Sequence, residues 1–494
     1  MLIALLLGLG ASRLEVATGE SAQPRLSSQT QMCVGCHRSA TPGIVSDWTT
    51  SRHAQTTPAE AWTKPQLERR ISTPLELISP ELRTVAVGCF ECHSRNIDKH
   101  ADAFEHFGFR IATVVSPADC QTCHGVEATQ YAASKKAHAH DNLLKNPVFT
   151  LLMETITQRQ RLDEHGQLIA EGSSPSTQHE TCLGCHGTRV QAKGLKAVKT
   201  AMGTISVPDL EGWPNEGVGR INPDGSLGSC SACHPRHSFS IAVARKPYTC
   251  GQCHLDPDVP AWNVFKESKH GNIVFSRERE YNWEAVPWAV GRDFQAPSCA
   301  TCHNSLLVDA EGRPIIERTH DFGSRLWVRL FGVIYAHPQP RDGRTYLIKN
   351  RDGLPLPTTF TGEPATEFLL SPQEQQSRQE QFQMVCNACH SRSWIAGHFA
   401  KLDQTIAETN QMTLTATLLA ARAWEGGLAK GLPGNPFDEE IEQLWIKQWL
   451  FYSNSIRYAS AMSGAPDYAT FKHGWWNLNE TLQQMREWLK LRRD

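Results

Sequence analysis

Three absences narrow the reading of this 494-residue chain before any motif is considered. No apolar run is long enough to cross a bilayer. The best candidate, Met1 to Ala11, offers about ten apolar residues where a spanning helix needs ~20. No block of like charge exceeds Lys135-Lys136 or the terminal Lys490 to Arg493 segment, and the formal net charge is only −2. Nothing therefore supports nucleic-acid binding. Finally, no cysteine stands outside a single five-residue pattern, which leaves none for a separate disulfide framework.

That pattern is Cys-x-x-Cys-His, and eight copies of it use all 16 cysteines. They are Cys33-Cys36-His37, Cys89-Cys92-His93, Cys120-Cys123-His124 and Cys182-Cys185-His186. The others are Cys230-Cys233-His234, Cys250-Cys253-His254, Cys299-Cys302-His303 and Cys386-Cys389-His390. Zinc sites pair two half-sites or add a distant histidine pair, with no rule for an adjoining histidine. Iron–sulfur sites group their cysteines more closely than any found here. Each copy instead reads as a c-type haem site: two thiols bond the porphyrin, and the histidine becomes an axial iron ligand. The predicted cofactors are eight covalent haems with their iron.

Haem-bearing sequence is nearly continuous from about residue 30 to 400, and Cys230 to His254 packs two sites into 25 residues. An apolar disc replaces much of the core that side chains would otherwise build. With 28 Pro and 35 Gly, the chain is expected to be mainly α, as short helices and loops wrapped around eight haems, with little sheet. Ionised propionates on ferric haems would add about −8 to the net charge, making the holoprotein acidic.

Residues 1–25 read as an export signal and linker, 26–400 as the haem domain and 401–494 as a helical C-terminal domain. In the last, helices are expected over Leu402 to Trp424, from about Asp438 through Ala461, and on to Leu491 with Asn477 as N-cap. Haem attachment takes place outside the reducing cytosol, so a periplasmic location is expected, soluble or loosely membrane-associated.

Of 21 histidines, eight sit in the motifs, leaving thirteen. A relay haem takes a second side-chain ligand, whereas a catalytic haem leaves that side open. Thirteen exceeds the number of distal ligands needed, so counting alone reveals no open haem.

The segment CSACHPRHSFSIAVARKPYTCGQCHLDPDVPAWNVFKESKHG, Cys230 to Gly271, closely resembles the octahaem hydroxylamine oxidoreductase family. WTTSRHA around His53, THDF around His320 and a helical C-terminal tail extend the likeness over most of the chain. The resemblance implies one five-coordinate catalytic haem, on Cys230-Cys233-His234, and seven relays. It implies distal ligands at His53, His106, His138, His237, His270 and His320, with His179 and His398 as candidates for a seventh. It also implies a homotrimer, a small inorganic nitrogen substrate, and a redox partner that is a cytochrome or a quinone-linked protein.

Two positions bear on direction. The oxidative members of that family carry an Asp-His pair over the open haem; here Asp258 matches the acid, but Val259 stands at the histidine's place. Oxidation of hydroxylamine must shed protons, and loss of a distal base hinders that. Those members also cross-link a C-terminal tyrosine to a neighbouring subunit's haem; Tyr468 or Phe471 occupies that region here. The catalytic set implied is His234, Asp258 and Tyr468.

The expected function is interconversion of hydroxylamine and nitrite, leaning toward reduction. Its alternatives are an oxidative hydroxylamine dehydrogenase and a non-catalytic electron conduit. A Val259→His variant is expected to raise hydroxylamine oxidation relative to nitrite reduction; an unchanged ratio in paired turnover assays would refute the argument from this residue.

Overall fold

The computed structural model describes residues 25–200 and 202–492. Apart from Arg25, the expected export signal and linker lie outside the described residues. The chain is mainly α, built from short helices and irregular segments. Every sheet among the described residues has only two or three strands. The largest is a hairpin, Gln191–Thr200 with Gly203–Glu211, whose apolar Leu195 and Met202 are exposed.

Proline sets where many helices begin. Pro42, Pro58, Pro80, Pro117, Pro147, Pro175, Pro247 and Pro372 each occupy a first helical position, where a missing N–H costs nothing and φ is already helical. The composition that suggested interrupted structure thus acts as punctuation.

The cysteine motifs lie on these short turns. Cys89–His93, Cys182–His186 and Cys299–His303 are each a complete five-residue helix. Cys33, Cys36 and His37 fall within the longer helix Ser28–Ala40. Residues three apart on a helix share a face, so both thiols of a motif project to the same side.

After the last motif, the architecture becomes a conventional helical bundle. The first expected helix is longer than its apolar pattern suggests and runs over Arg392–Glu425. The Ser391 hydroxyl, which accepts from the Trp394 N–H, starts it directly after His390. It therefore passes unbroken through residue 400. The second runs as Glu440–Ile446, a π turn over Lys447–Tyr452, and Ser453–Ala461. The third, Trp475–Leu491, begins at Gly474 rather than at Asn477. Asn477 serves the start from inside, its Oδ1 accepting the Gly474 N–H at 3.2 Å.

The main apolar core belongs to this bundle. Trp445, Trp449, Phe437, Ile441, Ala416, Ala420, Met485 and Trp488 pack with Val148, Ile334 and Leu356 from the preceding chain. The buried clusters of the first 300 residues are smaller, such as Val34, Val45, Trp48 and Ala54. In place of a larger core, that region encloses a connected cavity of about 1990 Å³. This exceeds the ~300–1,000 Å³ of a single small-ligand pocket.

Trp445 is 0% exposed, and its indole N–H donates to Thr417 Oγ1 at 2.9 Å. Trp445→Ala should destabilise the bundle by about 3–5 kcal/mol, read as a lowered thermal midpoint with haem content unchanged. A shift smaller than about 1 kcal/mol would show that the bundle does not depend on this packing.

Candidate haem centres

The cavity is lined by the cysteine motifs themselves, including Cys92, Cys120, Cys123 and the six residues Cys182, Cys185, Cys230, Cys233, Cys250 and Cys253. All sixteen cysteines are free thiols. Two imidazoles on opposite sides of one iron, each at a metal–nitrogen distance of ~2 Å, have ring centres roughly 6 Å apart. Three pairs meet that condition. His106 lies 6.1 Å from His37, His53 lies 6.1 Å from His124, and His270 lies 6.0 Å from His390.

Local sequence explains how these distal rings are held. In Ser51-Arg52-His53, the Ser51 hydroxyl caps the short helix by accepting the Ala54 N–H at 3.2 Å. In Ser268-Lys269-His270, Ser268 accepts the Gly271 N–H at 3.0 Å. Both serines are N-caps, and both histidines ride in the first turn behind them. At Gly271, a Cβ would stand 1.9 Å from the Phe265 carbonyl oxygen, so only glycine closes this turn. His106 ends the strand Ala103–His106, and the following turn places Phe107 and Gly108 at positive φ.

Several motif histidines have their second nitrogen anchored. His93 Nδ1 meets the Ala112 carbonyl at 2.7 Å, His186 Nδ1 the Ala139 carbonyl at 3.2 Å, and His37 Nδ1 the Thr41 hydroxyl at 2.9 Å. Donation from Nδ1 leaves Nε2 free for a metal. Burial pushes the imidazolium pKa of His53, His234 and His303 down to about 4, and of His254 to about 3. These rings are therefore neutral, the form that binds iron.

The cavity also contains cations without acidic partners. Lys135, Lys136, Arg245 and Arg329 line it, and none forms an ion pair among the described residues. Lys135 Nζ reaches only the Pro340 carbonyl at 3.3 Å; Arg245 Nη1 donates to the carbonyls of Trp283 and Ala285 at 2.9 and 2.6 Å. Lys135-Lys136, which the sequence showed only as a short basic pair, faces inward. Isolated buried charge is costly unless compensated. Thiols, neutral imidazoles and unpaired cations form a donor set that suits covalent haem with its two anionic propionates. The residues present fit that cofactor.

Neighbouring motifs meet through their thiols. Cys120 contacts Cys230, Cys185 contacts Cys253, and Cys250 contacts Cys299. At slightly longer range Cys33 neighbours Cys89, Cys92 neighbours Cys123, Cys233 neighbours Cys250, and Cys302 neighbours Cys386. The motifs beginning at Cys33, Cys89, Cys120, Cys230, Cys250, Cys299 and Cys386 thus form one row. The Cys182 motif joins it at Cys253 as a side branch.

The remaining candidate residues are not all where the resemblance put them. His237 lies beside His93, and His320 lies beside His234. His138 packs at Gly343 and near Asp342. His398 is separated from His390 by the Trp394 ring, which stacks on both, and its Nδ1 meets Ser463 Oγ at 2.9 Å. His179 lies near Glu211 on the outer hairpin. His100 is held by Asp102 at 3.1 Å and Asp119 at 3.2 Å; burial opposes its charge, but the two carboxylates lift its pKa to about 10. It is a buried cation, not a ligand.

Asp258 departs from its expected place. It lies beside Cys182 and Cys185 rather than His234, because its loop is tied to the bundle by the Asn454 side chain donating to the Asp258 carbonyl at 3.3 Å. Burial raises the Asp258 carboxyl above the ordinary range. Tyr458 and Arg329 line the same part of the cavity. Sequence reasoning missed both, since nothing marks an arginine within Trp327 to Phe331 or a tyrosine on a helix as facing a cavity. Tyr468 is 1% exposed; its hydroxyl donates to Asp256 Oδ1 at 2.7 Å, and His473 Nδ1 stands 2.8 Å from the same oxygen. Phe471, the alternative, is 61% exposed.

Comparison with known proteins agrees with this construction. Residues 224–312 match a family described as seven times multi-haem cytochrome CxxCH, and residues 119–206 match cytochrome c554 and c-prime. A solved structure titled hypothetical multiheme protein is 46% identical, with a TM-score of 0.89, over 95% of this chain and 97% of that one. The chain belongs to the multihaem cytochromes c. A reducing HAO-like protein complex of Kuenenia stuttgartiensis superposes on this cytochrome with a TM-score of 0.61 at 17% identity, covering 94% of this chain and 85% of that one. The shared fold is therefore that of the hydroxylamine oxidoreductase-like proteins. A curated protein of the same organism, a probable nitrite reductase-hydroxylamine oxidoreductase fusion protein, is 24% identical over 400 residues, 76% of this chain. The match spans only 36% of that relative's length. No described helix is long and apolar enough to cross a membrane.

Replacing His53 or His270 with alanine should convert one haem from six- to five-coordinate, adding a high-spin signal in the electron paramagnetic resonance spectrum for each. An unchanged spectrum would remove that residue from the ligand set.

Proposed function

We propose that this cytochrome is an exported, periplasmic octahaem oxidoreductase that reduces nitrite or hydroxylamine at one open haem, the other seven acting as relays. One observation carries the reading: Asp258 gathers with Tyr458 and Arg329 beside Cys182-Cys185-His186. Five motif histidines, His37, His93, His124, His234 and His390, have a free histidine opposite or beside them. His140 lies beside His186 as well, so it is Asp258 at the Cys182 and Cys185 thiols that singles this motif out. The reading therefore moves the open haem from His234, where the resemblance put it, to His186.

A haem bound there supplies an iron that can take a substrate nitrogen and exchange electrons. The protein's part is proton management and exclusion of competing ligands. Burial shifts the Asp258 carboxyl toward its protonated form, which suits it to relay a proton from solvent to a reduced substrate. Reduction of nitrite to hydroxylamine consumes four electrons and five protons, so an acid at the site suits it better than a base. Electrons would come from a reduced cytochrome or a quinone-linked protein.

Two features support the reductive direction. Val259 cannot accept a proton. The Tyr468 hydroxyl donates to Asp256 within its own chain. As for assembly, we retain the homotrimer implied by resemblance.

The test pairs turnover with mass spectrometry. Purified protein should reduce nitrite or hydroxylamine with a reduced dye faster than it oxidises hydroxylamine, and every haem peptide should lack a tyrosine adduct. Faster oxidation with a Tyr468 adduct would reverse the direction; eight low-spin haems without turnover would identify a conduit.

A further inference from the structure

Arg329 sits on the two-residue strand Val328–Arg329, whose backbone is paired along one edge with His337–Pro338. Its Nε donates to the Phe331 carbonyl at 3.1 Å. Neither terminal nitrogen of the guanidinium has a hydrogen-bond or ion-pair partner among the described residues, although the side chain lies deep in the cavity. Arg329 lies near His186. Tyr458 comes from the helix Ser453–Ala461 and lies close to both Arg329 and Asp258. Its hydroxyl likewise has no partner among the described hydrogen bonds. Burial pushes its pKa up to about 12, so it remains a donor at any working pH.

We propose that Arg329 and Tyr458 form an oxyanion subsite on the open side of the Cys182-Cys185-His186 haem, binding the oxygen atoms of a small planar anion of the nitrite class. The inference rests on the assignment of that haem as the open one, and it names the substrate class the site selects. A guanidinium offers two parallel N–H donors at fixed spacing, which matches two oxygens on one central atom. In the lower dielectric of a protein interior, such a charge-assisted pair is stronger than on a surface. Hydroxylamine is neutral at neutral pH and has one oxygen, so it gains little from a guanidinium. The subsite should therefore discriminate between the two ends of the reaction: it holds the anionic oxidised substrate and releases the neutral reduced product.

The competing role for Arg329 is pairing with a haem propionate, the use suggested above for the cavity's cations in general. The two roles predict different signatures. In the purified holoprotein, optical and paramagnetic titrations would follow nitrite binding to the oxidised haems and nitric oxide binding to the reduced ones. Haem content would be counted from the pyridine haemochrome spectrum. For a substrate subsite, Arg329→Gln should weaken nitrite binding about tenfold or more while shifting nitric oxide binding less than about twofold. Arg329→Lys should recover part of the loss, and Tyr458→Phe should show a smaller loss of the same selectivity.

An unchanged nitrite affinity in Arg329→Gln would overturn the inference while leaving the open haem in place. Equal losses for nitrite and nitric oxide, or a missing haem, would assign Arg329 to a propionate and overturn it as well. A wild-type protein with no nitrite-sensitive haem would remove both the inference and the functional reading beneath it.

Discussion

Two thiols three residues apart and an imidazole directly after them can share one helical turn, and the first 400 residues are arranged around that requirement. Several of the motifs lie on short helical turns, and their thiols line a common interior. A continuous apolar core is incompatible with this scheme, since the interior must receive cofactors along most of its length. The large apolar cluster therefore lies in the C-terminal bundle, where Trp445 and Trp449 are fully covered. The bundle closes one side of the cavity and contributes Tyr458 to its wall.

Electrostatics follows from the same requirement. A cavity that admits dianionic cofactors needs positive charge, and the protein places Lys135, Lys136, Arg245 and Arg329 there without matching acids. Among buried positive groups, His100 follows the opposite rule, clamped between Asp102 and Asp119 in a self-sufficient pair. The contrast separates charges that complete the protein from charges that await a ligand. It also explains how a chain of formal charge −2 holds so many buried cations: its acids are largely at the surface or in caps.

The motifs and the mainly helical class were legible because each rests on local chemistry, whereas His53, His106 and His270 were named through the family resemblance and stand about 6 Å from motif histidines in the structure. A Ser two residues before a His reads as a capped helix start whether or not the rest of the chain is known. The long helix at Arg392–Glu425 exceeded its apolar pattern because a serine cap, rather than periodicity, fixed its start. Asp258 was misplaced for a different reason: its partners, Cys182 and Asn454, lie about 75 and nearly 200 residues away. The inward aim of Lys136 and Arg329 was invisible for the same reason. A cation in a sequence is ordinarily solvated, and only the assembled cavity shows that no water-facing route was taken.

On the proposed assignment of eight haems with the open one at His186, the side branch at Cys182 separates storage from use. Seven motifs form a continuous row, and the eighth meets that row only at Cys253. In circuit terms the eighth centre is a tap rather than a series element, so an inhibitor or tight ligand there would not interrupt conduction from one end of the row to the other. Several relays could remain reduced while the tap is empty, and a substrate arriving there would find its electrons already at hand. A wire with its reactive centre in line could not do this, because every turnover would block its own supply.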